Sequence, residues 1–117
     1  MNNTITPQAK KAIIIVDAGK VSRMENGNYR VASQTDEAKW YQVSIHNCNE
    51  AACDCADFTR HASMAYECKH VIAARLWSAR QHIESADLWG KPYQAMVKAE
   101  KRQWWIQRYG VKVEVTA

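Results

Sequence analysis

A chain of 117 residues, 47% apolar and 24% charged, has the length of one soluble domain with a core of its own. Its longest unbroken apolar run, Ala12 to Val16, is far below the roughly 20 residues that span a bilayer, and the opening Met-Asn-Asn-Thr lacks the basic-then-apolar pattern of an export signal. A membrane role is therefore set aside and a reducing, cytoplasmic setting is expected, in which four cysteines read as metal ligands rather than disulfides.

Thr6 is a natural N-cap and Pro7 a natural first helical residue, so a helix is expected over Pro7 to Met24. Ala9, Ala12, Ile13 and Val16 keep helical spacing, and Val21 and Met24 roughly continue the stripe. The β-branched run Ile13 to Val16 also suits a buried strand, and Gly19 weakens the second half of the helix. Asn26-Gly27 signals a turn. Beyond it, Tyr29 and Val31 alternate with polar or small neighbours, as do Tyr41, Val43 and Ile45, so two strands should pair antiparallel across the polar segment 33–39.

Two ligand pairs follow, Cys53-Asp-Cys55 and Cys68-Lys-His70, with twelve residues between them. Side chains two apart on an extended chain share a side, so Cys53 and Cys55 can grip one ion. Cys68 and His70 can converge at a helix start, where the first residue is not yet helical. Three thiolates and a neutral imidazole suit one structural Zn²⁺, and the closed four-ligand shell leaves no position for substrate. Their summed charge with the dication is about −1, which Lys69, Arg60 and the following helix N-terminus can offset. Cys48 either replaces a ligand or lies in the hairpin core, and the complete shell favours a free buried thiol.

A helix is expected from about Cys68 to Ile83, with Ile72, Leu76, Ala79 and Ile83 on one face. A connection over 84–91 leads to a second helix opened by Pro92, with Tyr93, Met96, Val97 and Trp104 inward and Gly110 at its end. The alternating Val111 to Val115 reads as a strand. The predicted organisation is thus α+β. Residues 1–83 form a ligand-bearing domain with an N-terminal helix, and residues 84–117 a basic, Trp-rich helix and short strand packed on it.

The run Cys53-Asp-Cys55-Ala-Asp-Phe58 with Cys68-Lys-His70-Val-Ile-Ala73 resembles the SWIM-type zinc finger, Cys-X-Cys followed by Cys-X-His, over about residues 27–76. The resemblance implies a zinc-bound ββα finger built on a small antiparallel hairpin with flanking helices, and Cys53, Cys55, Cys68 and His70 as ligands. It also suggests DNA binding or protein interaction, since such modules occur in transposases, helicase-associated proteins and recombination factors. No transposase or helicase domain accompanies this one, so those catalytic activities do not carry over.

The net charge of +4 is uneven, with six basic residues and one acid across 91–112. The leading expectation is a nucleic-acid-binding module, for DNA rather than RNA, as an accessory subunit of a DNA-processing complex. Its candidate phosphate contacts are Arg60, His61, Lys69, Arg75 and Arg80 around the finger, with Lys98, Lys101, Arg102 and Arg108 behind it. Trp104, Trp105 and Tyr109 could stack on bases, although large aromatics more often serve burial. The alternative is a protein–protein adaptor that presents the Trp-rich helix or the Val111–Val115 strand. An enzyme is not expected: there is no evident acid pair, nucleophile motif or phosphate-cradling glycine loop, and no small-molecule substrate is implied.

Overall fold

The computed structural model describes residues 4–36, 38–46, 50–61, 66–81 and 96–113. It is an α+β fold in which a four-stranded antiparallel sheet and several helices enclose one core.

Helix α1 (Pro7–Asp17) begins as its sequence dictates, with the Thr6 hydroxyl accepting from the Ala9 N–H at 3.2 Å and Pro7 in the first turn. It ends at Asp17, well short of Met24. Gly19 adopts φ 71°, a left-handed conformation that reverses the chain. Val21 therefore faces the core from a strand, β1 (Val21–Arg23), and not from a helical stripe. The Asn26-Gly27 turn joins β1 to β2 (Tyr29–Ala32), with Gly27 at φ 88° and the Asn26 side chain accepting from the Asn28 N–H.

Strand β2 pairs with β3 (Trp40–Ile45) in the expected hairpin, Tyr29 opposite Val43 and Val31 opposite Tyr41. A further strand, β4 (Ala51–Cys53), pairs with β3 and sets Cys53 opposite Val43, so the sheet runs β1-β2-β3-β4. Tyr29, Val31 and Val43 are fully buried on its inner face. Cys48 lies outside the described residues.

After the short helix α2 (Ala56–Arg60), helix α3 (Lys69–Arg80) runs between α1 and the inner face of the sheet. Because it is covered on two sides, burial extends from its apolar stripe to Ala73, Ala74 and Ser78, and also to Arg75. Ala9 and Ala12 are wholly buried on α1, where small side chains let the two helix axes approach. Helix α3 ends at Arg80 with Gln81 as its C-cap, short of the expected Ile83, and Ile83 and the expected helix start at Pro92 lie outside the described residues.

The C-terminal helix α4 (Lys98–Tyr109) has as its N-cap residue Val97, expected to point inward but exposed because it precedes the first helical turn. Its core-facing aromatics are Trp105 and Tyr109, whereas Trp104, expected to point inward, is half-buried and meets both rings edge-on. Gly110 ends the helix at φ 71°, and the Tyr109 carbonyl accepts from the Thr6 N–H at 3.0 Å. Val111 and Val113 are buried around exposed Lys112, which preserves the predicted alternation, but residues 111–113 form no strand. Among the described residues no helix is long and apolar enough to cross a membrane.

Gly19 and Gly110 share one backbone conformation but differ in surroundings. A Cβ on Gly19 would meet nothing, whereas one on Gly110 would strike the Thr4 carbonyl. Gly19→Ala should therefore cost about 1–2 kcal/mol from the backbone alone. Gly110→Ala should add overpacking of about 1–3 kcal/mol. Urea unfolding of the two variants measures the difference, and equal losses would contradict the close approach.

Candidate metal centre

Each ligand sits where a secondary-structure element starts or stops. Cys53 is the last residue of β4. Cys55 N-caps α2, its Sγ accepting from the Phe58 N–H at 3.3 Å, while the Thr59 hydroxyl donates to the Cys55 carbonyl at 2.9 Å. Cys68 N-caps α3 with an extended backbone (φ −75°, ψ 168°), and His70 follows in the first turn. The extended cap turns the Cys68 side chain toward its neighbour two residues on, as the spacing demands.

The four ligand atoms lie within 4.8 Å of one another, all from buried residues. The His70 Nδ1 is 3.8 Å from the Sγ of Cys53 and 3.8 Å from that of Cys68. The Tyr41 ring lies against the imidazole at 4.5 Å between centroids and fixes its plane. A tetrahedral ion with metal–sulfur bonds of about 2.3 Å and metal–nitrogen bonds of about 2.0 Å needs ligand–ligand edges of roughly 3.5–3.8 Å. Small side-chain shifts close the remaining gap, so the cluster can hold a metal ion.

The thiols also compete for charge. Cys68 is drawn down to about 4, first because the Cys53 S–H donates to its sulfur and then by His70. The same donation, with burial, holds the Cys53 thiol high, and burial raises Cys55. One buried thiolate thus suppresses the ionisation of its neighbours, and a dication among the three sulfurs reverses that preference. A bound cation would relieve this conflict.

The structure separates the nine candidate phosphate contacts. Arg60, Lys98 and Arg102 are exposed, Lys69 is half-exposed, and none of these four pairs with an acid among the described residues. Half-buried His61 hydrogen-bonds the Asp57 carbonyl at 3.0 Å and stacks on Tyr66 at 4.3 Å. Arg80 is exposed but bridges to Asp17 of α1 at 2.9 Å.

Arg75 and Lys101, by contrast, are buried and cannot reach a phosphate from this conformation. Arg75 is 0% exposed and donates through Nε and Nη2 to Glu67 Oε2, both at 2.9 Å. Arg108 reaches the same oxygen at 3.2 Å and lies 5.0 Å from the centre of the Trp104 ring. The Tyr109 hydroxyl donates to the other oxygen, Oε1. Glu67 thus joins the residue before Cys68 to α3 and α4, a role that only the folded proximity of these helices reveals. Comparison of the chain with protein-family models, curated proteins and solved structures finds no match to any of them.

Cys68→Ala should abolish stoichiometric metal binding by elemental analysis and lower the melting temperature on the order of 10 °C or more. A variant that keeps both its metal and its melting curve would show that the cluster is not a metal centre. Glu67→Ala removes the carboxylate that Arg75 and Arg108 share and should cost about 3–5 kcal/mol in urea unfolding. A loss under about 1 kcal/mol would reduce this network to a surface contact.

Proposed function

We propose that this chain is a zinc-stabilised nucleic-acid-binding module, acting on DNA rather than RNA as an accessory subunit of a DNA-processing complex. The observation that carries the reading is the set of accessible cations Arg60, Lys69, Lys98 and Arg102, none paired with an acid among the described residues. Unpaired surface cations are the groups that exchange counterions for backbone phosphates.

Zinc is the ion that three thiolates and an imidazole in a tetrahedral cluster favour over the harder cations Mg²⁺ and Ca²⁺. A four-ligand shell holds no open position, so the metal's part is structural and the chain is read as a binding module, not an enzyme. The Cys-X-Cys and Cys-X-His spacing, now placed at the ends of β4 and the start of α3, supports kinship with SWIM-type fingers.

The adaptor reading rests on the Trp-rich helix and the Val111–Val115 segment, whose described apolar residues largely face the core. Trp105 is fully buried, and Val111 and Val113 face the core. The Trp-rich helix supplies packing more readily than a docking face.

The zinc-loaded protein should bind labelled DNA with log affinity falling against log salt at a slope of about −3 to −4, as four phosphate contacts predict. Absence of binding to single-stranded DNA, duplex DNA and RNA at low salt would overturn the proposal. Cobalt(II) should replace the ion with the strong visible absorption of a tetrahedral thiolate site.

A further inference from the structure

A groove of about 190 Å³ lies beside the metal centre, lined by Gln8 and Lys11 of α1, Asp57 of α2, Tyr66, and Lys69 at the start of α3. Its charge is unbalanced. Neither Lys11 nor Lys69 forms an ion pair with a described residue, while Asp57 accepts from the Tyr66 hydroxyl at 2.6 Å and lies 3.8 Å from the His61 Nδ1. That hydrogen bond, followed by burial, pushes the Tyr66 phenol up to about 12, so Tyr66 stays neutral near pH 7. The groove's own side chains, two lysines and one carboxylate, sum to about +1, and Lys69 also adjoins the anionic metal shell, so Lys11 is the cation left for a phosphodiester.

The volume suits a compact anion, since pockets for drug-sized ligands span roughly 300–1,000 Å³. The groove does not stop there. Gln8 and Tyr66 also line an adjoining cleft of about 380 Å³ with Ile72, Tyr109 and the ion-paired Glu67 and Arg108, so the unpaired positive charge lies at the lysine end. Lys11 lies far from the cysteines in sequence, and only the packing of α1 on α3 brings it beside Lys69.

We propose that Lys11 and Lys69 hold one phosphate group in this groove, and that in the working protein this phosphate belongs to a nucleic-acid backbone. The second part rests on the nucleic-acid reading above. Lys69 also lies next to the anionic metal shell, so Lys11 offers the cleaner variant, being remote from it.

The test uses the zinc-loaded full chain and the variants Lys11→Gln, Lys69→Gln and their double, each first checked for metal content and melting temperature. Lys112→Gln serves as the control, since Lys112 is an exposed lysine that lines neither cleft and is not among the four phosphate contacts. The probes are a labelled single strand, its duplex, and inorganic pyrophosphate followed by amide chemical shifts. Lys11→Gln should weaken DNA binding about three- to tenfold, and the double variant should reduce the salt slope by about two. Pyrophosphate should shift the amides of Lys11, Asp57, Tyr66 and Lys69.

If DNA binds and Lys11→Gln behaves as wild type, the groove is overturned while the nucleic-acid reading stands. If pyrophosphate shifts these amides but no nucleic acid binds, the phosphate site stands and its nucleic-acid source is overturned. Silence from every probe overturns both.

Discussion

Three sulfur atoms and an imidazole nitrogen share a space under 5 Å across in the interior of a small protein. Such a group is poorly stable as bare chemistry, because thiolates repel one another and burial opposes their ionisation. A divalent cation turns the same crowding into attraction. The architecture brings the four groups together from separate boundaries: a strand ends at one, one helix is capped by the second and another by the third, with the fourth in its first turn. Moving any of these boundaries by one residue would aim a ligand away from the centre.

A second polar cluster begins one residue before Cys68. Glu67 collects Arg75, Arg108 and Tyr109, and its side chain is only 11% exposed. Its role is positional. It binds the approach to Cys68 to two helices, so the segment that carries Cys68 and His70 shares one scaffold with the C-terminal helix. Tyr109, whose hydroxyl is held protonated chiefly by burial, completes the carboxylate's hydrogen bonding without adding negative charge.

Much of this was legible from local pattern. Thr6-Pro7 marked the first helix start, alternation marked the central hairpin, and the paired ligand spacings marked all four members of the cluster. The failures have physical causes. The first helix reads too long because Val21 satisfies a helical stripe and a strand's inner face equally well, and Gly19 alone decides between them. Trp104 and Trp105 are adjacent, so sequence gives no reason to bury one over the other. Arg75 and Lys101 look like surface cations because arginine and lysine usually are, and burying them requires tertiary partners that no window of the sequence contains. Lys11 was missed for the complementary reason, since its significance comes entirely from the packing of α1.

The Glu67 network also ranks its own contacts by how much chain each must close. The link to Arg75 spans eight residues, while the link to Arg108 spans 41. The longer closure costs about 1.4 kcal/mol more in chain entropy. The ligand pairs and the Glu67–Arg75 pair lie on the near side of that difference. The carboxylate can therefore compensate its first arginine within a compact, locally closed unit. Docking of the last helix then acts as a clasp, adding a second arginine and a phenol to a charge already partly balanced.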